Sequence, residues 1–64
     1  GTKTILVITF NDGTASKQFT GLSESLVENF MEWLMGRQQN IGPIFYHLNN
    51  DFINYYMIQN VTAQ

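Results

Sequence analysis

Sixty-four residues allow one domain, and a single core of this size supplies only about 3–5 kcal/mol. With no cysteine the chain forms no disulfide and no thiolate metal site, and the single histidine, His47, cannot hold zinc alone. The net charge is −2 and the only cations are Lys3, Lys17 and Arg37, which argues against tight binding to a phosphate backbone.

Small domains without disulfides or metals usually gain stability from a second chain. The composition fits that route. Hydrophobic residues make up 44% of the chain and charged residues 12%, and the usual charged share is about 25%. A surface so poor in charge either tolerates poor solubility or hides part of itself against another chain. No apolar run is long enough to span a bilayer, and no basic segment precedes an apolar stretch at the N-terminus. A cytoplasmic protein with no membrane partner and no signal peptide is expected.

The first predicted element is a strand over residues 3–10, where β-branched and aromatic types dominate. Asp12-Gly13 then signals a type I′ hairpin turn, because both central positions need positive φ. Residues 15–20 form the return strand. A two-residue turn sets Phe10 against Ala15, Ile8 against Lys17 and Leu6 against Phe19, so that Leu6, Ile8, Phe10 and Phe19 share a face. A three-residue loop ending at Gly13 would instead place Phe19 with Ile5 and Val7. In either case the first strand is apolar on both sides, which marks a central strand or one covered by a partner.

Gly21-Leu22-Ser23 breaks the strand and opens a helix. Ser23 is the expected N-cap, Glu24 suits the positive end of the helix dipole, and Leu22 staples onto Val27. The helix is predicted from Glu24 to Arg37 or Gln39. At 100° per residue Leu22, Trp33, Leu26, Phe30, Leu34, Val27 and Met31 fill an arc of roughly 180°, and Met35 widens it. A helix on one small sheet needs a stripe of only about 100°. The surplus lies around Trp33 on one flank or Met31 and Met35 on the other. Glu24, Glu28 and Glu32 occupy the opposite side at i, i+4 spacing.

Gly42-Pro43 is expected to end the helix and turn the chain. Residues 44–48 and 52–58, or on to 61, then form a second hairpin around Asn49-Asn50 or Asn50-Asp51, either of which tolerates a tight turn. One face carries Ile44, Tyr46, Leu48, Ile53, Tyr55 and Met57. The other carries Phe45, His47, Phe52, Asn54, Tyr56 and Ile58. A helix over residues 52–61, capped by Asn50 or Asp51, is the rival reading, disfavoured by the density of Ile, Tyr, Val and Thr.

Three constellations bear on function. Phe45, Tyr46, His47, Phe52, Tyr55 and Tyr56 form an aromatic cluster that could stack single-stranded bases, with Lys3 and Lys17 as cationic contacts. Beyond Arg37, however, there is no lysine or arginine, and packing against the helix on one face and a second subunit on the other explains the aromatics better. The stripe of Glu24, Glu28 and Glu32 offers an imitation of spaced phosphates, but acids near a helix start and on a solvated face are ordinary. His47 has no cysteine or serine arrangement to serve as a base, and Asp12 and Asp51 are explained by their turns. No phosphate-binding glycine motif is present. Asn60-Val61-Thr62 formally matches a glycosylation acceptor, which matters only in a secreted chain.

The expected fold is α+β, in the order ββαββ: one antiparallel sheet of two hairpins with a single amphipathic helix packed on one face, all 64 residues forming one domain. Its expected core is Leu6, Ile8, Phe10, Phe19, Leu26, Val27, Phe30, Leu34, Ile44, Tyr46, Leu48, Ile53, Tyr55 and Met57. The expected function is a non-enzymatic, homodimeric protein-interaction module of accessory or regulatory type, without cofactor or metal, that binds itself and a larger protein. Its interaction residues are Trp33, Met31, Met35, Phe45, His47 and Tyr56. The alternatives are a single-stranded nucleic-acid binder on the aromatic sheet and an acidic nucleic-acid mimic built on Glu24, Glu28 and Glu32.

Overall fold

A computed structural model describes residues 4–64. Lys3, the first residue of the predicted strand, lies outside them. The chain is α+β: β1 (Thr4–Phe10), β2 (Lys17–Leu22), α1 (Glu24–Gln38), β3 (Phe45–Leu48), β4 (Asp51–Asn54), a 3-10 turn (Tyr55–Met57) and β5 (Ile58–Ala63).

The expected single sheet of two hairpins is corrected to two sheets. One has three strands in the order β2-β1-β5, all antiparallel, and the other is the hairpin β3-β4. The last strand is cut in two. The Asn54 side chain accepts a hydrogen bond from the Tyr56 backbone N–H at 2.9 Å and caps a 3-10 turn. The chain beyond that turn crosses to β1 and pairs along it from Phe10 to Leu6. Both sides of β1 are therefore paired, and its apolar character on both faces is that of a central strand.

In the first hairpin Ile8 pairs with Lys17 and Leu6 with Phe19, the register of the two-residue turn. The turn itself differs. The strands part after Ile8 and Lys17, and only Gly13 has positive φ (88°), so no type I′ turn forms. Asp12 instead accepts the Thr14 backbone N–H at 3.0 Å. Hydrogen bonding from the Thr14 side chain, and then from its backbone, holds the Asp12 carboxyl below its ordinary value.

The pairing slips by one residue between Leu6 and Thr4, which meets Leu22. Gly21, at φ 68°, makes this bulge. The extra residue lets Phe19 and Leu22, three apart, both turn into the core. Gly21→Ala would meet no atom within 4 Å, so its cost is conformational. It is expected to lower stability by about 1 kcal/mol in urea unfolding, through the left-handed backbone alone.

Helix α1 begins as its cap dictates, with the Ser23 side chain accepting the Leu26 N–H at 3.3 Å. It ends at Gln38, within the predicted bounds, but the stop is made ahead of Gly42-Pro43. Asn40 takes φ 63°, the Ile41 N–H bonds to Gly36 O at 2.8 Å and the Asn40 N–H to Arg37 O at 3.0 Å. These are the two bonds of a Schellman cap, with asparagine in the left-handed position.

The buried core is Leu6, Ile8, Phe19, Leu22, Phe30, Trp33, Leu48 and Ile53, with Phe10, Val27, Met31, Leu34, Tyr46, Tyr55, Ile58 and Val61 packed around it. Three residues of the expected core are exposed: Leu26, Ile44 and Met57. Leu26 shares a helix face with Phe30, but the aromatic residues that meet this face gather at the C-terminal half of the helix. Ile44 precedes β3. Met57 lies in the 3-10 turn, whose threefold repeat ends the strand alternation that would have turned it inward.

Candidate functional site

The β3-β4 hairpin turns through a two-residue loop in which Asn49 takes φ 55°. Strand alternation then sorts its side chains. Tyr46, Leu48 and Ile53 face the core, and Phe45, His47 and Phe52 face away from it. The Tyr55 N–H bonds to Ile44 O at 2.9 Å, which makes 44 and 55 a hydrogen-bonded pair. Counting along the ladder, His47 and Phe52 form a non-hydrogen-bonded pair, where side chains come closest. Their rings are accordingly stacked, with centroids 4.5 Å apart and planes at 11°. Phe45 is 55% exposed and Phe52 70%. An aromatic patch thus covers the outer face of a two-stranded sheet whose inner face is core.

Of the interaction residues expected from sequence, this patch unites Phe45 and His47. It adds Phe52, which belonged to the predicted aromatic cluster and shared their face but was not among the expected interaction residues. Tyr56 lies elsewhere: it is 60% exposed on the 3-10 turn, with its hydroxyl accepting from Arg37 at 3.1 Å. Trp33 is not on a surplus flank. It is 8% exposed, its indole N–H donates to Pro43 O at 2.7 Å, and its ring lies within 6.0 Å of Phe30, Tyr46 and Tyr55. Met31 is half-buried against the core, whereas Met35 is 62% exposed.

Glu24, Glu28 and Glu32 are all exposed. Among the described residues both cations are otherwise engaged. Lys17 pairs with Asp51 at 2.6 Å and so ties β2 to the hairpin, a surface pair worth less than about 1 kcal/mol. Arg37 is buried, with hydrogen bonds to Gly42 O, Asn40 Oδ1 and Tyr56 Oη. The contacts named for nucleic acid do not assemble among the described residues. Tyr46 and Tyr55 pack into the core, and Lys3 lies outside that range.

A groove of about 490 Å³ runs between α1 and β5, with Met31, Leu34 and Gln38 on one wall and Ile58, Asn60 and Val61 on the other. None of the residues lining it is charged. Among the described residues no helix is long and apolar enough to cross a membrane, and no group of three or more His, Cys, Asp or Glu is placed to hold a metal.

The chain matches no protein-family model, no curated protein and no solved structure, so a functional reading rests on these surfaces alone.

Proposed function

We propose that the chain is a non-enzymatic protein-interaction module, acting as a homodimer in the cytoplasm, that presents the outer face of its β3-β4 hairpin to a larger protein. The observation that carries this reading is the exposure of Phe45 and Phe52 around the stacked His47. Aromatic side chains are the usual energetic centres of protein interfaces, where they bring large buried area at low entropic cost. A chain with 12% charged residues has little charged surface with which to surround such a patch. The absence of cysteine suits a reducing compartment.

A photo-crosslinking amino acid at position 52 tests this directly. Irradiation in the producing cell is expected to give a discrete protein adduct, absent when the same group replaces Thr14 in the β1-β2 loop. A nucleic-acid adduct at position 52 would transfer the patch to base stacking. No adduct at either position would remove the reading.

A further inference from the structure

We infer that the free edge of β5 is the seat of self-association, pairing antiparallel with the β5 of a second copy to join two three-stranded sheets into one of six strands. This rests on the homodimer proposed above and names the edge that carries it.

The two edges of the three-stranded sheet are built differently. Exposed edges invite pairing, and proteins blunt them with charge, proline or a bulge. β2 has two of these devices, Lys17 at its start and the Gly21 bulge near its end, and its lysine is bound to the hairpin through Asp51. β5 reads Ile-Gln-Asn-Val-Thr-Ala, six residues without a charge or a proline; its one register shift falls at Gln59, and from Asn60 to Ala63 its ladder with β1 is regular.

The ladder shows which backbone groups are left over. Ile5 and Gln64 exchange both N–H···O=C bonds, at 3.1 and 2.8 Å. Antiparallel pairs alternate, so Val7–Thr62 and Thr9–Asn60 are the other hydrogen-bonded pairs. Val61 and Ala63 therefore turn their N–H and C=O groups away from β1, toward an edge with no strand beside it among the described residues. A two-fold axis at Thr62 sets Val61 of one copy against Ala63 of the other, so that all of these groups are satisfied at once.

The flank beside the edge fits the same occupant. The uncharged groove between α1 and β5 would meet its own copy across the axis, Met31 and Leu34 against Met31 and Leu34. The groove lining itself carries no charge, so its residues would meet their copies across the axis without facing like charges. A stable dimer buries about 800 Å² per partner, close to a fifth of this chain's 4358 Å² surface. A strand edge alone is too narrow for that, and β5 has the helix flank beside it.

The test is sedimentation velocity of the whole chain over a dilution series, with amide exchange read at Val61 and Ala63. Wild type should sediment at twice 7.4 kDa, with both amides protected in the dimer and losing protection on dilution. Ala63→Pro removes an outward donor while sparing the bonds of Thr62 and Gln64, and should weaken the dimer by tenfold or more. Met31→Lys should do the same through the flank. Phe52→Lys, on the hairpin face, should leave the dimer intact. A wild-type monomer at all concentrations overturns the proposal, as does a dimer in which Val61 and Ala63 exchange freely. If Ala63→Pro fails to fold, the wild-type exchange pattern and Met31→Lys decide. Dissociation by Phe52→Lys with unprotected edge amides would move self-association to the aromatic face. Edge protection only on adding another protein would replace the second copy with a foreign strand. A dimer at the edge with no adduct at position 52 would uphold this inference and sink the hairpin reading.

Discussion

Trp33→Ala is expected to unfold most of the molecule rather than weaken an interface. The side chain is 8% exposed and lies at the centre of the aromatic cluster, with ring centroids 5.1 Å from Tyr46, 5.6 Å from Phe30 and 6.0 Å from Tyr55. Truncating a buried tryptophan costs about 3–5 kcal/mol, which is the whole stability expected of a core this small. The deletion also takes the indole N–H from Pro43 O, a 2.7 Å bond that fastens the α1-β3 connection to the helix. Trp33→Phe separates the two losses: it keeps most of the ring packing and should cost about 1–2 kcal/mol. Urea unfolding followed by circular dichroism reads both. An alanine variant with the wild-type midpoint would return Trp33 to the surface role that its place on the helical wheel implied.

The contrast between those two roles shows where sequence reasoning reached and where it stopped. Local chemistry was legible. Ser23 opens the helix because its hydroxyl accepts the N3 N–H, and the Leu6–Phe19 register is the one a two-residue turn implied, although that turn does not form. The alternation of β3 and β4 placed Phe45, His47 and Phe52 together on one face. What failed was continuity. Residues 52–61 are rich in β-prone types, and before Asn60 only Asn54 is a turn-favouring residue. The break comes from the Asn54 side chain bonding forward to the Tyr56 N–H, a contact that also reads as an ordinary polar strand residue. From that turn follow the second sheet, the exposure of Met57 and the pairing of β5 with β1. The helical wheel misplaced Trp33 for a related reason: the residues that bury it, Tyr46 and Tyr55, come from the hairpin and the turn, so its environment was decided outside the helix.

Arg37 is the other residue whose position the pattern concealed, and its removal should have the second largest effect. A cation in the last turn of a helix ordinarily faces solvent beside the dipole's negative end. Here it is 8% exposed and holds three segments together. It donates to Gly42 O at 2.7 Å and Asn40 Oδ1 at 3.4 Å in the connection, and to Tyr56 Oη at 3.1 Å in the 3-10 turn. Its guanidinium carbon lies 5.5 Å from the Tyr55 ring centroid and 5.9 Å from that of Tyr56. No carboxylate among its hydrogen-bond partners balances the charge, and its Nε is buried without a partner. Carbonyl, amide, hydroxyl and ring faces stabilise it in place of an ion pair. Arg37→Ala loses these bonds and the packing of the stem, and should cost about 3 kcal/mol. Arg37→Met keeps the volume and removes the uncompensated charge. Gly42 and Tyr56 are exposed enough to bond water instead, so methionine should cost only about 1 kcal/mol. Arg37→Lys keeps the charge without the planar fork that reaches Gly42 and Tyr56 together, and should fall between them at about 2 kcal/mol. Urea midpoints that rank alanine lowest, then lysine, then methionine would establish the guanidinium as a geometric clamp. A lysine variant as stable as wild type would show that charge alone suffices. Because the clamp holds the 3-10 turn that directs β5 back to β1, the alanine variant should also raise amide exchange along β5 before the helix melts.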